Sequence, residues 1–194
     1  HCENGCTFRK KDIEGNRNDQ EHDYRLKALC DELGVNYTCI HSDIAEIVFN
    51  VRKEDNPCSL CAKLRRGALN TAITERGIKK LALGHHFDDA VETYLMNLFF
   101  EGRIGCFQPV TYLSRMDVTQ IRPLLYAKEK QVRAAANRLA LPVVTNNCPA
   151  DGASRRQEVK ELIAELEKKY PDLKQKIFGG MQRYPIEGWQ IKNM

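Results

Sequence analysis

The sequence predicts an α/β fold, a parallel sheet covered by helices on both faces and followed by a helical appendage. Three observations carry that expectation. Short apolar runs alternate with helix-periodic stretches from residue 20 to residue 145. Gly34, Gly77 and Gly84 stand at the seams between them. Beyond residue 150 the strand signal stops and only helical periodicity remains.

The elements follow in order. Residues 20–33 space Tyr24, Leu26, Leu29, Cys30 and Leu33 as a helix that Gly34 ends, and Val35–His41 reads as a short strand. Asp43–Val51 is apolar enough for a helix, and the charged run RKEDNP separates it from Cys58. Cys61–Glu75 is helical, with Leu60, Leu64, Ala68 and Ala72 as one stripe, and Gly77 closes it. Lys80–Leu83 is a strand cut off by Gly84, and Asp88–Phe100 is a helix with Val91, Leu95 and Leu98 inward. Residues 107–122 read as a hairpin turning at Ser114–Asp117, which Arg122-Pro123-Leu124 ends. Ala127–Leu139 is a helix and Pro142–Thr145 another strand.

In the tail, Val159, Leu162, Ile163 and Leu166 recur at helical spacing across residues 154–169. Pro171 can start a second helix with Leu173, Ile177 and Met181 inward. The expected division is an α/β domain over residues 1–149 and a helical extension over 150–194.

Hydrophobic residues at 42% and charged residues at 29% fit a soluble globular chain rather than a disordered one. No apolar stretch approaches the ~20 residues that span a bilayer, so no membrane association is expected. The opening HCENGCTFRKKD does not resemble a signal peptide, and its first residue is His, so a lost N-terminal segment is expected. A net charge of +4 permits nucleic-acid binding without requiring it. The even count of eight cysteines could form disulfides. The helix-forming polar composition and the lack of a secretory signal favour the reducing cytoplasm instead, where paired cysteines more often bind metal or catalyse.

Two clusters carry the chemistry. Cys58-Ser-Leu-Cys61 puts two sulfurs one helical turn apart, able to share a metal ion or two corners of a cluster. A helix start after Pro57 would favour their thiolates. A redox pair or two merely buried cysteines are the other readings. Cys148, behind another apolar run, is a candidate third soft ligand or a small buried hydrophobe. Three thiolates on a four-iron cluster would leave one iron open. Cys30, Cys39 and Cys106 read as structural, and Cys2 and Cys6 lie at a ragged terminus.

The second cluster is Gly84-His85-His86-Phe87-Asp88-Asp89. Two carboxylates at a helix start could hold Mg²⁺ or orient a polarised substrate. The plainer reading makes Asp88 or Asp89 an N-cap and leaves His85 and His86 as turn residues. In open α/β sheets ligands bind beyond the carboxyl ends of strands, so Gly84–Asp89 and Asn146–Cys148 are expected at one crevice. Arg65, Arg66 and Arg122 are weaker candidates for phosphate contact. Arg155, Arg156 and Lys160 could touch an RNA backbone, although interleaved glutamates favour a solvated helix face.

The segments CSLCAKLRRGAL, LALGHHFDDAVETYLMNLFF, IRPLLYAKEKQVRAAA and NNCPADG resemble, in this order, the tRNA 2-thiocytidine synthetase group of the PP-loop ATP pyrophosphatases. The likeness runs from about residue 20 to residue 183. It implies a PP-loop (adenine-nucleotide alpha hydrolase-like) domain whose N-terminal part is missing. It also implies a [4Fe–4S] cluster on Cys58, Cys61 and Cys148, catalytic acids at Asp88 and Asp89, and ATP with Mg²⁺. The implied reaction adenylates the C2 oxygen of an anticodon-loop cytidine and then replaces it with sulfur. The implied partners are tRNA, a sulfur donor such as a cysteine desulfurase system, and a second copy in a homodimer.

The family's Ser-Gly-Gly-x-Asp-Ser ATP grip has no counterpart in this sequence. The chain is therefore expected to be a truncated product that binds ATP poorly and does not turn over by itself. A second C-x-x-C near Cys148, present in some members, is also lacking. Competing readings are a thiolase of another nucleobase, a zinc-stabilised RNA-binding module without catalysis, and a disulfide oxidoreductase.

Overall fold

Strand β1 (Cys6–Phe8) pairs in parallel with β2 (Thr38–Ile40), Cys6 opposite Thr38 and Phe8 opposite Ile40. Helix α1 (Arg17–Glu32) joins them, as a parallel pair requires a crossover. The computed structural model describes residues 6–8, 17–40, 42–53, 57–143, 148, 150 and 154–184. Gly34, at φ 66°, adopts the left-handed conformation that ends α1. Tyr24 and Leu33, at the two ends of the helical spacing in this segment, are 74% and 64% exposed.

A second sheet contains β3 (Lys80–Ala82), β4 (Val110–Leu113) and β5 (Val118–Ile121), in the order β3-β5-β4. The Thr119 N–H donates to the Lys79 carbonyl and the Leu83 N–H to the Ile121 carbonyl, so β3 and β5 run in parallel. The turn 114–117 joins β4 to β5 as the expected hairpin, and a link so short permits only antiparallel pairing. The sheet is therefore mixed: β3 and β5 run in parallel as the alternation of elements suggested, and the expected hairpin adds an antiparallel strand. Pro142 and Val143 belong to no strand, consistent with a proline's missing N–H, and the rest of the strand expected over 142–145 lies outside the described residues.

The chain divides into two compact units. The first comprises residues 1–82, 113–119 and 140–150. It contains a π-helical segment (Glu46–Arg52) packed on helix α2 (Pro57–Glu75), with Ile44, Val48, Ala72, Ile73, Ile78, Leu81 and Val118 buried. The helix expected over Asp43–Val51 is thus present but wound more widely, ending at Lys53 with φ 47°.

The second unit comprises residues 83–112, 120–139 and 151–194. Helix α3 (Phe87–Glu101) packs against α5 (Arg155–Lys169) and α6 (Leu173–Arg183), while α4 (Glu129–Arg138) buries no side chain fully. One core unites Phe87, Val91, Leu95, Leu125, Val159, Ile163, Phe178 and Met181. The tail periodicity located Val159, Ile163 and Met181 in it, but Leu98 and Leu162 stay 37% and 42% exposed. Ser154 caps α5 by accepting from the Gln157 N–H at 3.3 Å.

Candidate functional site

The acidic turn begins where β3 ends. His86 is the N-cap of α3: its Nδ1 accepts from the Asp89 N–H at 3.3 Å, and Asp89 Oδ2 accepts from the His86 N–H at 2.9 Å. This reciprocal pair closes two donors that a helix start otherwise leaves open. The Nε2 of the same ring lies 3.4 Å from Asp89 Oδ2.

Asp88 is 6% exposed and both its oxygens are engaged. Oδ2 accepts from the Glu129 N–H at 2.7 Å, so a side chain of α3 caps the start of α4. Oδ1 meets Lys174 Nζ, from α6, at 2.9 Å. Burial alone would raise the Asp88 pKa, but the Glu129 N–H and then Lys174 outweigh it and hold the carboxyl below the usual range. Lys174 is the mirror case: burial would lower its pKa, and the bond to Asp88 raises it instead.

Arg156 of α5 covers the next turn of α3. Its Nη1 lies 2.8 Å from Glu92 Oε2 and 3.5 Å from Asp89 Oδ1, and its Nη2 donates to Thr93 Oγ1 at 3.2 Å. Glu92 is 3% exposed, a buried carboxylate that needs such a partner. Lys160 reaches Glu129 at 2.9 Å, and it heads the contacts that lower the Glu129 pKa. Arg155 instead rests over the Phe100 ring at 4.9 Å. Arg155, Arg156 and Lys160 therefore keep much of the solvent exposure expected of them, Arg155 being exposed, and each also has a partner within the unit.

His85 lies beside this web. Its ring is 4.8 Å from Phe107, over which the Arg122 guanidinium lies at 4.7 Å. Arg122 also donates to the Gln108 carbonyl. Burial, then Arg122, lower the His85 pKa, and its buried Nδ1 has no hydrogen-bond partner among the described residues. Cys106 Sγ faces the Ala90 carbonyl at 3.4 Å, and burial pushes its thiol up to about 12. A thiol held this far up is a poor nucleophile at neutral pH, and it packs against the core of the second unit.

The cysteine pair occupies the first unit. Cys58 is exposed and Cys61 half-buried, both in the first turns of α2, with Arg65 and Arg66 exposed further along. Cys148 is half-buried. The six cysteines whose side chains are described, 30, 39, 58, 61, 106 and 148, form no disulfide among themselves. Among the described residues no three His, Cys, Asp or Glu side chains are arranged to hold a metal ion. A four-iron cluster takes each thiolate on a different iron, so its ligands stand farther apart than those of a single ion. The donor chemistry of three cysteines suits such a cluster, and all three belong to the first unit. Asn146, Asn147, Cys2 and the rest of 1–5 lie outside the described residues, as do the side-chain surroundings of Cys6.

The PP-loop domain family matches residues 14–166. The chain belongs to that family. This PP-loop chain is 38% identical over 159 residues to a tRNA-cytidine(32) 2-sulfurtransferase of Pseudomonas putida (strain ATCC 700007 / DSM 6899 / JCM 31910 / BCRC 17059 / LMG 24140 / F1), covering 81% of itself and 58% of the relative. To the protein of the same description in Pseudomonas fluorescens (strain SBW25) it is 38% identical over 162 residues, 82% of itself and 59% of the relative. Its fold matches the U34-tRNA thiolase NcsA from Methanococcus maripaludis with its [4Fe-4S] cluster, at TM-score 0.70 and 28% identity, over 97% of this chain and 66% of that one. The PP-loop chain thus spans somewhat over half the length of the curated relatives it matches. Among the described residues no helix is long and apolar enough to cross a membrane.

Lys174, Glu92 and Glu129 were missed by sequence reasoning. One signal was available: Asp88, Asp89 and Glu92 crowd three acids onto one face of an otherwise apolar helix, which demands cations from elsewhere. Nothing in the sequence says that Lys174, 86 positions from Asp88, provides one.

Proposed function

We propose that this chain is part of an ATP-dependent tRNA sulfurtransferase that makes 2-thiocytidine in an anticodon loop. The observation that carries the reading is the 38% identity to tRNA-cytidine(32) 2-sulfurtransferases over 81% of the chain. In the proposed reaction the C2 oxygen of cytidine attacks the α-phosphorus of ATP and pyrophosphate leaves. A sulfur nucleophile then adds at C2 and AMP departs, so a poor leaving oxygen has become a good one. Mg²⁺ would offset phosphate charge.

Cys58, Cys61 and Cys148 are the residues that would hold a [4Fe–4S] cluster, which when bound supplies the sulfur-transfer chemistry. Asp89 is the more accessible acid of the turn and the better candidate to face substrate, with Asp88 fixing its helix start. His85 and His86 would line the same turn, and Arg65, Arg66 and Arg122 are candidate phosphate or RNA contacts. The reading includes a cytoplasmic location, a cysteine desulfurase system as sulfur donor, a homodimer, and a PP-loop domain over 1–149 with a helical extension over 150–194. It also treats the chain without a Ser-Gly-Gly-x-Asp-Ser loop as inactive by itself.

A second reading, thiolation of a uridine, is favoured by the likeness to the U34-tRNA thiolase. The test is iron and acid-labile sulfide content after anaerobic purification, on the wild type and Cys148→Ala. About four irons with matching sulfide, lost in the variant, support the cluster. About one zinc, unaffected by the variant, sinks it in favour of a zinc-stabilised module. Thionucleoside analysis of tRNA treated with the chain extended to the length of its relatives then separates cytidine from uridine.

A further inference from the structure

The α5–α6 hairpin reads from sequence as an appendage, yet its cations end on the acids of α3. Lys174 meets Asp88 at 2.9 Å, and Arg156 meets Glu92 at 2.8 Å and Asp89 at 3.5 Å. Lys160 adds a bond to Glu129 at 2.9 Å, the residue whose N–H Asp88 accepts. Two helices from the end of the chain thus close on one turn from its middle. We propose that Lys174 and Arg156 are positioning residues for the Asp88–Asp89 turn, so that residues 155–183 are an integral part of the candidate site.

The physical argument concerns what α3 would do without them. Three carboxylates within five residues, two of them buried, repel one another and carry a desolvation cost. The positive end of α3 offsets part of it, but only within its first turn. Lys174 sits where it neutralises Asp88 without displacing the Glu129 N–H, because each takes a different oxygen. The start of α4 is therefore held through Asp88, and the orientation of Asp88 is held through Lys174. Arg156 does the equivalent for Asp89, whose other oxygen is taken by the His86 N–H. The proposal rests on reading that turn as the acidic site, but its test does not use the reaction.

The test is amide hydrogen exchange on the full chain for wild type, Lys174→Met and Lys174→Arg. Methionine keeps the apolar stem and removes the charge; arginine restores the charge. The expected result is a loss of protection of roughly tenfold or more at Glu129, Asp89 and Ala90 in Lys174→Met. Lys174→Arg recovers most of it, and the core amides of Val159, Ile163 and Met181 change little in both. Unchanged protection at Glu129 overturns the proposal. So does an equal loss across the core, which would mean that Lys174 merely packs α6. Should Lys174→Met not fold, Lys174→Gln makes the same comparison. A failed thiolation assay alongside a localised, arginine-rescued loss would remove the proposed reaction and leave the positioning role standing.

Discussion

Helices α2 and α3 both begin with two chemically capable side chains in their opening turns, but the surroundings differ sharply. Asp88 and Asp89 are held by an N-cap histidine, a foreign helix start, a lysine and an arginine. Cys58 stands exposed on α2, with Cys61 half-buried one turn on and no acid in that first turn. The acids of α3 are thus woven into the fold before any ligand arrives. The thiols of α2, one exposed and one half-buried, are expected to contribute less to it than the acids of α3. Two clusters that look equally functional in sequence therefore make opposite demands on stability.

The largest effect belongs to the core beneath the acidic turn. Phe178 packs on Phe87, the first residue of α3, with ring centroids 4.7 Å apart. Phe178→Ala should cost about 3–5 kcal/mol in a urea titration. Asp88→Ala comes next, at about 1–3 kcal/mol, because it orphans the Glu129 N–H and Lys174 together. A cost near zero for Asp88→Ala would break the comparison, since the acid would then be as dispensable to folding as an exposed residue.

A smaller effect should appear in the pH dependence of stability. Asp88 has a lowered folded pKa, so its contribution is complete above the unfolded value of about 3.9 and is lost as pH falls through the folded one. Lys174 has a raised folded pKa, so its contribution is complete below about 10.4 and fades as pH rises past that value, through the folded one. His85 is lowered, so the unfolded chain takes a proton near pH 6.5 (about the ordinary histidine value) that the folded chain refuses. Stability should be flat only between about pH 7.5 and 8, fall below about pH 6.5, and fall again above about pH 8.5, where the unfolded Cys106 thiol ionises and the folded one does not. His85→Gln should remove the upper part of that acid slope and leave the Asp88 part intact. An unchanged slope in His85→Gln would show that its burial is not what the unfolded state relieves.

The fold was legible where periodicity is local. Gly84 and the spacing of Val91 and Leu95 located α3, and Val159, Ile163 and Met181 located the tail core. Leu98 misled because the buried face of α3 stops at Leu95, about two turns before its left-handed cap at Gly102. The π-helical winding of Glu46–Arg52 has no counterpart in a pattern read at α-helical spacing. At the candidate site, the motif residues were legible and their partners were not. Arg156 and Glu92 are 64 positions apart, and pairing over such a distance is decided by packing of α5 on α3, not by neighbouring residues. The solvated face expected for Arg155, Arg156 and Lys160 is present in part, and the ion pairs that Arg156 and Lys160 also make were not legible for that reason.

The smallest stability effect is the sharpest test of the comparison. Cys58→Ser exchanges sulfur for oxygen at an exposed position in the first turn of α2, leaving shape and helix start nearly unchanged. The metal-free chain should lose no more than about 0.5 kcal/mol in a denaturant titration, as surface substitutions do. The same variant should lose most of its iron and sulfide after anaerobic reconstitution, because a hydroxyl is a poor substitute for a thiolate on iron. The two readouts must separate: stability retained, iron lost. A cost above about 1 kcal/mol in the metal-free chain would mean that Cys58 is built into the fold as Asp88 is. Retained iron would mean that the thiols of α2 are presented to something other than a cluster.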